Sequence, residues 1–118
     1  MSLVWPGALG LVLLLPAGAA AGQGWYYIVP PLSQAPTATE TGRFNANAAP
    51  SQWAQMGAFD TAQECERARR AKETEHLEIL KTLHQEDKEN ISVKMRTLIS
   101  ASILSGRCIA SDDPRLRQ

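Results

Sequence analysis

A chain of 118 residues is bounded to a single domain. Its twelve lysines and arginines balance twelve aspartates and glutamates, so it lacks the basic excess that marks a nucleic-acid binder. The first charged residue is Glu40, which leaves the opening third of the chain to uncharged, apolar and small residues.

Leu9 to Leu15 form a short apolar run, followed by Pro16 and the small-residue string Ala17 to Gly22. That layout reads as a secretory signal peptide, residues 1–21, with an A-x-A cleavage site at Ala19 to Ala21 and a mature chain starting at Gly22. Ser2 to Gly7 contains no Lys or Arg, so only the amino terminus supplies positive charge ahead of the run. A membrane anchor would need ~20 apolar residues, and Gly10 and Pro16 interrupt the stretch first. The expected product is therefore exported, periplasmic or secreted, with no transmembrane segment in the mature chain. In such a compartment two cysteines, Cys65 and Cys108, read as a disulfide. A small domain with a thin core has use for such a staple.

Trp25 to Val29 is an unbroken aromatic and β-branched run between Gly24 and Pro30-Pro31, which predicts a short strand. Trp25, Tyr27 and Val29 face one way and Tyr26 and Ile28 the other, so both faces are apolar and the strand is expected to be covered on each side. The aromatics read as core rather than as a platform for stacking a ligand. From Leu32 to Pro50 the composition shifts to Ser, Thr, Asn, Gln, Ala, Gly and Pro. With little apolar surface to offset its ordering entropy, residues 32–50 read as a flexible linker. Ser51 to Phe59 reads as a second extended piece, with Ala54, Met56 and Ala58 as its core face and Gly57 as the mark of a bulge or a close backbone approach.

Asp60 with Gln63, or Thr61 with Glu64, offers a helix N-cap and its reciprocal partner. No Gly or Pro follows until well past Asp87, and strong helix formers fill the interval, so a long helix is predicted over about 60–87. Ala62, Cys65 and Ala68 make a small-residue stripe; His76, Ile79, Leu80 and Leu83 make a larger apolar one. Arg67, Arg69 and Arg70 alternate with glutamates and read as a solvated face rather than an anion patch. His76 and His84 are too far apart in register to share a metal, and zinc wants three or four protein ligands, so no metal site is assigned. After the polar turn Gln85 to Asn90, apolar residues from Ile91 to Ile103 repeat at helical spacing up to Gly106, a suitable residue just past a helix end. A second helix over about 91–104 is expected, with its β-branched content leaving a strand open. Asn90-Ile91-Ser92 matches a glycosylation acceptor, a frequent accidental pattern.

Length supports the disulfide. A helix from Cys65 to Asp87 runs ~33 Å and the return from Ile91 to Leu104 about 20 Å, while an extended tail to Cys108 adds about 13 Å. The legs match if the chain reverses near Asp87 to Asn90. One unbroken helix would hold the cysteines roughly 60 Å apart. The expected fold is thus α+β: two or three short strands and a helical hairpin, stapled by Cys65 and Cys108.

The Gly24 to Pro31 opening, the Pro50-Ser51-Gln52-Trp53 and Phe59 to Glu66 segments, and the ending Cys108 to Leu116 together resemble a group of small, uncharacterised exported bacterial proteins. The resemblance implies a bacterial, extracytoplasmic protein with its cysteines oxidised, and brings no activity with it. At the end of the chain, Asp112-Asp113-Pro114-Arg115 reads as a turn rather than a calcium site, because the spaced ligands of a calcium loop are missing. No catalytic, metal or cofactor-binding residue is assigned. The expected function is a non-enzymatic structural or interaction protein. The alternatives are an envelope accessory protein that binds a partner through its helical hairpin, or an enzyme whose site only the fold assembles.

Overall fold

Strand β1 (Trp25–Val29) is the middle of a three-stranded antiparallel sheet, with β4 (Ala54–Phe59) on one side and β5 (Arg107–Ala110) on the other. The computed structural model describes residues 24–118, so the expected signal peptide lies outside the described residues. Helix α1 (Ala62–Leu83) crosses one face of the sheet and touches all three strands; α2 (Ile91–Leu104) packs back along it. The fold is the expected α+β domain with a helical hairpin.

Both faces of β1 are covered, because its alternation is apolar on both sides. Tyr27 and Val29 join Cys65 and Ile103 beneath the helices, with Trp25, Phe59 and Cys108 at the margin. Ile28 joins Trp53 and Ile109 on the opposite face, beside Tyr26, Ala48 and Leu116. Among the described residues no α-helix covers that second face. Two short 3-10 turns, Pro50–Gln52 and Pro114–Arg117, lie together over it and supply its cover. Arg107 stacks its guanidinium 4.9 Å from the centre of the Trp53 ring, a contact that attracts a cation to the ring face.

The core face expected for β4 is corrected. Ala54, Met56 and Ala58 are exposed, while Phe59 and Trp53 are the residues that pack inward. The cause is a bulge: Tyr27 pairs with Gly57 but Ile28 pairs with Gln55, so Met56 is an extra residue in the ladder. One inserted residue reverses the side-chain parity of everything beyond it. Trp53 and Phe59, which share a parity in the sequence, therefore end on opposite faces of the sheet.

Residues 32–50, expected as a linker, carry a two-stranded hairpin of β2 (Leu32–Gln34) and β3 (Arg43–Phe44), which touches α2. The described residues thus form five strands where two or three were expected. The turn is held by its own polar groups. Thr37 Oγ1 accepts from the amides of Glu40 at 3.0 Å and Thr39 at 3.3 Å, and Gln34 Nε2 donates to the Glu40 carboxylate at 2.8 Å. Gly42 sits at a φ of 83°, and a Cβ there would approach Gln34 O, Pro36 N and Leu98 Cδ2 to within 3 Å. Only glycine meets both demands without strain.

Helix α1 starts in the second of the two expected registers. Thr61 is its N-cap, accepting from the Glu64 amide at 3.1 Å, and its hydroxyl donates to the Glu64 carboxylate at 3.2 Å. The helix stops at Leu83, four residues before the expected end. Between Leu83 and Ile91 there is no apolar residue to bury, and Glu86 and Asp87 would face the negative end of the helix dipole. The chain instead makes successive turns, in which Asp87 accepts from the Glu89 amide at 3.0 Å. Helix α2 spans the expected residues, and Asn90 caps it by accepting from Ser92 and Val93.

Candidate functional site

The disulfide forms as expected between Cys65, fully buried in the first turns of α1, and Cys108 on β5, with Cα atoms 6.1 Å apart. It fixes one end of the hairpin to the sheet. Towards the far end residues of the two helices line a recess of about 510 Å³. Leu80 and Leu83 of α1 and Val93, Leu98 and Ala101 of α2 make its apolar wall. Thr41 and Gly42 of the β2–β3 hairpin close one side.

Three cationic or titratable side chains line this wall: His84, Lys88 and Lys94. No acid lines it. His84 and Lys88 are exposed and follow the C-terminus of α1, where the dipole and the unpaired carbonyls favour positive charge. Lys94 is different. It is only 7 % exposed, and its Nζ donates to the carbonyls of Thr37 at 2.9 Å and Ala38 at 3.1 Å. Those two bonds latch the turn of the β2–β3 hairpin onto α2. An ammonium has three hydrogens and no acceptor, and among the described residues no carboxylate lies against this one.

The sequence passes over Lys94 if α2 is read only by its apolar repeat. The signal that exposes it is positional: Leu98 and Ala101 follow it by four and seven residues, so Lys94 stands on the inward face of the helix. Ser100 was missed for the same reason. It is 2 % exposed and lies 2.9 Å from Nδ1 of the buried His76, which joins the two helices by a polar contact in an otherwise apolar seam. Glu75 Oε2 is 3.9 Å from the other ring nitrogen. Both Ser100 and His76 lie outside the recess.

His76 and His84 are therefore in separate surroundings, one in the interhelical seam and one on the recess. Among the described residues no three of His, Cys, Asp and Glu gather in a way that could hold a metal ion. Arg69 turns to Glu66 at 2.7 Å and Glu73 at 3.8 Å, and the Glu66 hydrogen bond raises its pKa. Asp113 caps the last 3-10 turn and is gripped by both Nε and Nη2 of Arg115, at 3.1 and 2.9 Å. That grip holds its carboxyl at about 2, below the usual 3.8. Burial raises the Tyr27 pKa, and its hydroxyl donates to the carbonyl of Ile103 at 3.4 Å.

Leu77, Ile91 and Ile99 are large apolar residues left substantially exposed on the hairpin, at 50, 51 and 40 %. Among the described residues no helix is long and apolar enough to cross a membrane. Comparison with protein-family models, with curated proteins and with solved structures found no match.

Proposed function

We propose that this chain is a small exported, non-enzymatic interaction protein whose working surface is the α1–α2 hairpin with the β2–β3 turn docked on it. The observation that carries this reading is the recess. An apolar hollow of this size with a few convergent polar groups is the usual form of a binding site. Its wall is assembled from three separate segments, and a buried lysine ties the third to the other two. Export is supported by the formed disulfide, which persists in oxidising compartments. It is supported as well by the sequence layout of residues 1–21 and by the resemblance to exported bacterial proteins. Intact-mass measurement of the cell-envelope and medium fractions tests it: a chain beginning at Gly22 is expected, and one retaining Met1 in the cytoplasm would overturn it.

A photo-crosslinking residue at Thr97, exposed on the recess wall, tests the working surface. Adducts are expected from Thr97 and not from Gln55 on the far edge strand. Equal labelling at the two positions, or none at Thr97, would count against the hairpin. A second reading, an envelope accessory protein that docks a macromolecule on the outer side of α2, is favoured by the exposed Ile91 and Ile99. It predicts that adducts form at Ile99 instead.

A further inference from the structure

We infer that the recess binds a small amphipathic carboxylate, with its apolar chain between the helices and its carboxylate on Lys94. This rests on the reading of the hairpin as the working surface and names the chemistry of what it takes. Lys94 carries the argument. A charge removed from water is costly unless it is both hydrogen-bonded and paired. Lys94 is only 7 % exposed, yet the two protein acceptors of its ammonium are neutral carbonyls. One donor and the whole of the charge are left without a counterpart among the described residues. A carboxylate in the adjoining hollow supplies both.

The remainder of the wall selects the rest of the ligand. Leu80, Leu83, Val93 and Leu98 offer only dispersion and burial, so the body of the ligand is hydrocarbon. Lys88 adds positive potential at the rim and, among the described residues, no acid lines the recess to oppose it, which disfavours cationic amphiphiles. Lys94 is the one buried cation among the described residues of the wall, which suits a monoanion better than a phosphate or a nucleotide, which call for a cluster of buried donors. Two of the Lys94 bonds latch the β2–β3 turn and the third hydrogen remains, so the ligand is accommodated with the latch closed.

Calorimetric titration of the oxidised chain with decanoate, decanol and decyltrimethylammonium, each below its micelle-forming concentration, tests the assignment. Decanoate is expected to bind, decanol at least tenfold more weakly, and the cation not at all. Lys94→Met keeps the length of the side chain and removes its charge; it should weaken decanoate at least tenfold and leave decanol unchanged. Because that variant also loosens the β2–β3 turn, Ala101→Phe provides a second arm, filling the hollow with the latch intact and abolishing decanoate binding. Decanol binding as tightly as decanoate, decanoate binding that survives Ala101→Phe, or no decanoate binding would each overturn the carboxylate. If decanol or the cation binds and Ala101→Phe removes it, the carboxylate fails while the hairpin stands as a binding surface. If none of the three binds, the carboxylate fails and the surface is judged by the crosslinking alone.

Discussion

Cys108 stands directly across from Tyr27 in the β1–β5 ladder, and both side chains belong to the helix-covered cluster. The disulfide is thereby set beneath the central aromatic of the sheet, where it joins the first turns of α1 to the last strand. Its two cysteines are separated by 43 residues. On the chain-entropy account, a cross-link closing a loop of that length stabilises by about 4 kcal/mol, a large share of what a small domain has. Replacing both cysteines by alanine should lower the unfolding free energy obtained from a urea transition by about that amount and shift its midpoint down, and reductant should then have no further effect on the variant. An unchanged midpoint would show that the packing around Tyr27 suffices.

Gly106 follows α2 and precedes β5, and a Cβ there would meet Tyr27 Cε1 at 2.6 Å, Val29 Cγ1 at 2.9 Å and Ile28 O at 3.0 Å. Space, rather than a left-handed backbone, demands glycine at this helix end. Gly106→Ala should destabilise by about 1–3 kcal/mol, the usual range for overpacking a closed core. The same change at Gly57, where only the Phe59 ring tip lies close, should be felt less. Thermal melts of the two variants, compared side by side, decide it.

The His76–Ser100 contact is the buried polar link between the helices. Ser100→Ala leaves a ring nitrogen without its partner in an apolar seam, and a loss of about 1–3 kcal/mol is expected. A double-mutant cycle with His76→Phe should show clear coupling between the two positions. Additive losses would mean that the two side chains merely fill space.

Asp113 gives the acid response of the C-terminal turn. Its folded pKa of about 2 lies below the ordinary 3.8, chiefly because the Arg115 side chain hydrogen-bonds the ionised form. Stability from this group is therefore complete above about pH 4 and is lost as the pH falls toward 2. Carbon-detected titration should find the carboxyl near 2 in the native chain and back toward 3.8 in Arg115→Gln. An unmoved midpoint would remove Arg115 as the cause.

Much of this architecture was legible because the signals are local or metric. Thr61 and Asn90 announce the helix starts through side-chain capping, and the apolar repeat from Ile91 to Ile103 carries α2. The pairing of Cys65 with Cys108 followed from an even cysteine count in a chain read as exported, with leg lengths that agree, and the two apolar faces of β1 followed from strand alternation. The failures share a different cause. Met56 looks like a core residue until the bulge beside Gly57 turns it outward, and a bulge is a property of two strands together. The β2–β3 hairpin depends on Gly42 fitting against Leu98 and on Lys94 reaching two carbonyls more than fifty residues away. The recess is assembled from three distant segments, so no single stretch carries its pattern.

The place of β1 in the sheet has a consequence for how the domain comes into being. Gly24 and Ser111 exchange two hydrogen bonds at the edge of the β1–β5 ladder, although they are 87 residues apart. The central strand therefore gains its second neighbour, β5, only when two segments far apart in the sequence are brought together. Pairings so distant in sequence close slowly, since the entropy of the loop is lost before the contact is gained. Closing this pairing is therefore expected to be a late and cooperative step in the folding of the sheet.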